Sequence, residues 1–177
     1  GVGHPQVNIY KGKRMSLSES FLTKDVLKRK NLYVRTMAHV KKILFDSNNR
    51  AHGVIYEDKS NKNNSFKIVE ANKEIILSAG AVNSPQILMT SGIGSKSTLN
   101  KFNIPIIKHN ENVGKHLKDH LAHGAVYNVT KGFGINSEAG LWSLAKWLLF
   151  GKGPLTSNLI EVNAFYRSKY SSEPEYM

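Results

Sequence analysis

Glu74-Ile75-Ile76-Leu77-Ser78-Ala79-Gly80, continuing as Ala81-Val82-Asn83-Ser84-Pro85-Gln86-Ile87-Leu88-Met89-Thr90-Ser91-Gly92-Ile93-Gly94, is the stretch on which the fold turns. Its first half is an unbroken apolar run that ends in small residues, the pattern of a strand buried on both faces. In an open α/β sheet the carboxyl end of such a strand borders the ligand crevice, and a large side chain there would hold a ligand off the main chain. Ala79-Gly80-Ala81 leaves that approach bare. Ser84-Pro85 then reads as an N-cap and first-turn pair, Ile87, Leu88 and Ser91 continue a short helix, and Gly92 closes it. Many α/β proteins share the order strand, small-residue turn, helix, and tight packing accounts for it as well as ligand binding does.

Upstream, apolar spacing through Phe21, Leu22, Val26 and Leu27 predicts a helix over 16–30, capped by Ser16 or Ser18 and ending in Lys28-Arg29-Lys30. Residues 32–36, 40–45, 51–56 and 66–69 read as strands. The polar stretches 46–50 and 58–65 look like hairpin loops, so the last three of these strands form an antiparallel meander. Downstream, a short helix is expected over 97–102, an extended piece over 104–107, a strand over 122–129, a helix over 139–150 stopped by Gly151-Lys152-Gly153-Pro154, and a strand over 163–166.

The chain has 177 residues, enough for one domain with a core or for parts of two. No apolar run approaches the length of a membrane span. The absence of Cys removes disulfide scaffolds, thiol catalysis and thiolate metal sites. The formal charge is +12, but the lysines are scattered, and no aromatic-interleaved basic ladder accompanies them. A solvated basic surface is therefore expected and no nucleic-acid partner. The start at Gly1-Val2-Gly3-His4, without Met or a leader-like pattern, points to a processed terminus or to a piece of a longer protein.

The segment Gly80–Gly94 resembles the second signature of the glucose-methanol-choline (GMC) oxidoreductases, which in that family also follows a buried strand. Further matches lie at family-like separations: Gly12-Lys13-Arg14-Met15-Ser16 before a helix, Asn31-Leu32, Gly53-Val54, and Val113-Gly114 with Asp119-His120. Gly153-Pro154-Leu155-Thr156-Ser157 resembles the equivalent stretch of insect glucose dehydrogenase-type members. The resemblance implies a mixed α/β fold: part of a doubly wound FAD-binding domain with an antiparallel meander over 1–118, and the start of a substrate-binding region over 119–177. It implies FAD as cofactor, a small alcohol or sugar as substrate, hydride transfer to the flavin, and a quinone or oxygen as electron acceptor. It places FAD contacts on Val40, Ser78, Ala79, Gly80 and Ala81, and sets Glu161 where choline-oxidising relatives carry an acidic residue facing the substrate. Insect-type relatives are often secreted, which would put a full-length parent outside the cell.

The departures from the family carry equal weight. The glycine-rich phosphate fingerprint is absent, and so is the catalytic histidine with its partner, so no residue here is named as the base. His116 stands where the family usually has Asn before Leu-x-Asp-His. Without the fingerprint the pyrophosphate loses its helix N-terminus, and the isolated 177 residues are expected neither to hold FAD tightly nor to turn over. Two rival readings are a non-catalytic truncated protein and a metal site on His116, Asp119, His120 and His123. The second lacks the glutamate of a hydrolytic zinc motif.

Overall fold

The computed structural model describes residues 1–60, 65–120, 140–158, 160, 162–165 and 169–170. In chain order the elements are β1 (Val2–Gly3), β2 (Ile9–Tyr10), β3 (Lys13–Arg14), α1 (Leu17–Phe21), α2 (Lys24–Leu27), β4 (Ala38–Phe45), β5 (Ala51–Asp58), β6 (Ser65–Glu70), α3 (Gly80–Thr90), β7 (Ile93–Gly94), α4 (Lys96–Lys101), β8 (Lys108–His109), α5 (Leu141–Phe150), a 3-10 turn (Pro154–Thr156) and β9 (Asn163–Ala164). The chain divides into two compact units, Val34–His123 and a second made of Gly1–Tyr33 with Gly124–Met177.

In the second unit β2 and β3 form a hairpin whose two turn residues, Lys11 and Gly12, both have positive φ, the geometry that matches strand twist in a two-residue loop. Trp147 Nε1 of α5 donates to Gly12 O at 2.8 Å. A Cβ on Gly12 would lie 2.2 Å from Gly151 O, so this contact admits no side chain. The α5 helix begins two residues later than expected, at Leu141, and ends on Gly151 in the left-handed region. β9 pairs antiparallel with β1. The helix expected over 16–30 is two short ones. Ser16 Oγ accepts from Glu19 N and Thr23 Oγ1 from Val26 N, so Thr23 starts a new helix where its side chain competes with the running ladder.

The meander β4-β5-β6 organises the Val34–His123 unit, antiparallel throughout. Its first turn is held by Asp46 Oδ1, which accepts from Asn48 N and Arg50 N at 2.9 Å each. The β4–β5 register slips between Val40 and Lys42, leaving Lys41 as a bulge. Ile43 and Tyr56 are buried in this sheet and Leu99 of α4 is fully enclosed. Gly92 ends α3 with φ +91, as its position predicts, and β7 then pairs parallel with β8. The strand expected over 32–36 does not form; Arg35 instead reaches into the sheet as a side chain.

The run 74–78 forms no strand pairing among the described residues, and Ile76 is 77% exposed while Ile75 and Leu77 are half-buried. The both-faces-buried expectation is thereby corrected. The described residues supply no parallel neighbour, so only alternate side chains find cover. The helix after it starts at Gly80, a turn earlier than Ser84-Pro85 suggested, with Pro85 inside it. Ser84 Oγ still serves the start, accepting from Ala79 N at 3.1 Å. The strand expected over 122–129 lies outside the described residues.

Asp58 ends β5 with its side chain fully enclosed. Its carboxylate accepts from Lys67 Nζ at 2.7 Å, from Ser60 N and Oγ, and from Arg35 Nη2. Lys67 first, then Ser60, then Arg35 hold its pKa far below the ordinary 3.8, against the opposing effect of burial. A carboxylate depressed on folding stabilises above its unfolded pKa and loses that contribution as pH falls toward the folded value. The thermal midpoint is expected to start falling as pH drops through about 4 and to keep falling toward pH 2, with Asp58→Asn showing a lower midpoint at neutral pH and a shallower acid limb in a pH-resolved melt.

Candidate functional site

A groove of about 900 Å³ runs between β4 on one side and the 75–79 segment with α3 on the other. Met37, His39, Val40, Lys41 and Ile43 line the first wall; Ile75, Leu77, Ser78, Ala79, Asn83 and Ile87 line the second. The lining is largely apolar and includes His39, Lys41 and Lys59. Lys41 pairs with Glu57 at 2.8 Å, and that contact lowers the Glu57 pKa. A flat heteroaromatic ring suits such walls.

Of the residues singled out from sequence, Val40, Ser78 and Ala79 come together on this groove, from segments some forty residues apart. Gly80 and Ala81 follow directly at the start of α3. Gly80 has φ +85, a conformation glycine adopts without penalty, and a Cβ built on it meets nothing within 4 Å. The bare main chain at this point therefore reflects backbone geometry and leaves open space in front of it. The first N–H groups of α3 have no intrahelical acceptor, and Pro85, lacking an N–H, leaves the Ala81 carbonyl without its usual donor. The second unit holds another polar cleft, lined by Gln6, Asn8, Arg14, Ser16, Thr156 and Asn158 among others. Glu161 lies outside the described residues.

Several groove residues are silent in the sequence pattern: Asn83, Gln86 and Thr90 on α3, and His39 on β4. Once α3 is extended back to Gly80, 83, 86, 87 and 90 fall on one helical face; placing the start at Ser84 hid that face. His116, in the position where Asn was expected, has φ +59. Asn and His are both enriched among the side chains found in that region, which accounts for the exchange. Among the described residues no group of three His, Asp or Glu converges as a metal site would require; His123 is not among them.

The sequence pattern of the family described as GMC oxidoreductase matches residues 1–122. The chain is 38% identical over 176 residues to "Dehydrogenase str4" of Strobilurus tenacellus, covering 95% of this chain and 28% of that protein. It is 37% identical over 179 residues to an alcohol dehydrogenase (acceptor) of Pseudomonas putida, covering 95% of this chain and 31% of that protein. A formate oxidase of Aspergillus oryzae RIB40, studied for its FAD modification, superposes with a TM-score of 0.77 at 26% identity, over 92% of this chain and 28% of its own. The chain thus spans less than a third of the length of each of these proteins.

Proposed function

The chain belongs to the GMC oxidoreductase family, with FAD as its cofactor, and from that premise we propose that the groove between β4 and the 75–79 segment receives the adenine end of FAD in an enzyme oxidising a CH–OH group of an alcohol or sugar. The observation that carries this reading is the convergence of Val40 with Ser78 and Ala79 on one largely apolar groove, with Gly80 and Ala81 following directly in the chain. In the bound state FAD supplies the two-electron acceptor for a hydride from the substrate carbon.

This chain's own residues would do the holding. Val40, Ile75, Leu77 and Ile87 exclude water from the ring faces, and the main chain at Val40 and Ser78 offers the polar edge contacts that orient it. Gly80 and Ala81 permit close approach of the ribose-phosphate side of the adenosine, and the first-turn N–H groups of α3, which have no intrahelical acceptor, suit an anion. A histidine base outside this chain would take the hydroxyl proton. Residues 1–118 are assigned to the cofactor side and 119–177, including Glu161, to the substrate side, with a quinone or oxygen reoxidising the flavin.

The purified 177 residues are expected to carry well under one flavin per chain, because the glycine-rich phosphate turn is not among them. The same residues inside a longer polypeptide of the relatives' length should show stoichiometric flavin absorbance, bleached by an alcohol substrate without air. Absence of flavin from the longer polypeptide would remove the proposal.

A further inference from the structure

We propose that Thr90 and Ser91 are positioning residues for the cofactor groove: their hydroxyls clamp the bulged edge of β4 to the last turn of α3 and so fix the separation of Val40 from Ala79. The inference rests on the reading of the groove as the FAD site.

Among the described residues β4 is an edge strand, paired with β5 alone. Strand edges left open are covered or disrupted in stable proteins, and here the cover is a helix end. Lys41, the bulge residue, turns its carbonyl to Thr90, whose Oγ1 proton is shared between Lys41 O at 2.8 Å and Ile87 O of its own helix at 3.0 Å. Two residues on, Ile43 N donates to Ser91 Oγ at 2.8 Å, and Ser91 Oγ in turn donates to Ile87 O at 2.5 Å. Ser91 is 1% exposed, so the amide it accepts has no access to water. Removing that hydroxyl leaves a buried N–H unpaired, and the strand must shift to satisfy it.

The clamp joins the two bodies that make the groove. Val40 is one residue from the bulge, and Ala79 immediately precedes α3, whose 11 residues rise about 16 Å to Thr90. A displacement of β4 against the last turn therefore changes the gap between the walls along the length of the helix. Ser91 is not among the groove-lining residues, so any effect of its loss on a ligand must pass through position; Thr90 also lines the groove, so the positioning role is read from Ser91→Ala and Thr90→Val supports it only when the two agree.

The test uses the flavin-binding longer polypeptide that contains these residues and reads the FAD dissociation constant, by titrating its apo form and following flavin fluorescence, beside the thermal midpoint of that apo form. Ser91→Ala and Thr90→Val should each weaken FAD roughly tenfold, the scale of one well-placed hydrogen bond. Thr90→Ser, which keeps the hydroxyl, should stay within about twofold of wild type on the same scale. Thr90 is exposed, so its variants fold even where Ser91→Ala does not. Ser95→Ala is the control: Ser95 is 4% exposed, caps α4 by accepting from Thr98 N, and lies off the groove. It should lower the midpoint and leave FAD binding unchanged. Wild-type FAD affinity in Thr90→Val and Ser91→Ala, with only the midpoint reduced as in Ser95→Ala, would overturn the clamp. Unchanged flavin content in a variant that fills the groove at Ala79 would overturn the site itself, and the clamp with it.

Discussion

Gly92→Ala is expected to destabilise the protein by about 2–5 kcal/mol, from left-handed strain of about 1–2 and overpacking of about 1–3. At φ +91 an added Cβ would sit 2.4 Å from Pro105 O and 2.8 Å from Ile107 Cγ1. Neither can retreat freely, because Gly92 O accepts from Ile107 N at 2.9 Å and from Lys108 N at 3.1 Å, which fixes the 104–108 segment against the end of α3. Gly80→Ala isolates the strain alone: its φ is +85, but a Cβ there has free space, so about 1–2 kcal/mol is expected. Chemical denaturation of both variants checks the pair. Equal losses at the two glycines would show that contact with the 104–108 segment contributes nothing.

Ala79→Phe should have the larger effect on function. The new ring would enter the groove between the 75–79 segment and β4, occupying volume that the adenine ring needs while burying itself against Ile43 and Ile87. Because the groove is open solvent-facing space and not packed core, the fold tolerates the substitution, and stability should change by less than about 1 kcal/mol. Flavin affinity should fall by roughly a hundredfold or more, the loss of about 2.8 kcal/mol of binding energy at 1.4 kcal/mol per decade. In the longer polypeptide that carries stoichiometric flavin, flavin absorbance per protein after gel filtration and the melt of the apo form together separate the two effects. A variant that retains full flavin would show that the cofactor lies elsewhere.

The meander was legible because alternation of apolar residues and the polar turns at 46–50 and 58–65 are local signals, and the Asp46 turn shows why. Gly92 was legible for the same reason: a helix end needs a residue that accepts positive φ. The run 74–80 was misread as a paired strand, since a continuous apolar stretch reports only that neighbours are wanted, and no described segment supplies them. Leu22-Thr23 looked like helix interior, because periodicity does not register a Thr hydroxyl competing for a backbone N–H. Of the groove, the small residues at 78–81 signalled themselves, whereas Val40 is an ordinary strand valine without the family resemblance. The Asp58 cluster and the Thr90–Ser91 hydroxyls were invisible, because both depend on partners that are distant in sequence: Arg35 and Lys67 in one case, Lys41 and Ile43 in the other.

A crystal structure of the FAD-loaded holoprotein tests the central claim most directly. The adenine ring should lie in the groove with atoms within about 4 Å of both Val40 and Ala79, and the chain from Gly80 should run beside the phosphate side. Density for the adenine elsewhere, with β4 and the 75–79 segment touching only water, would contradict it.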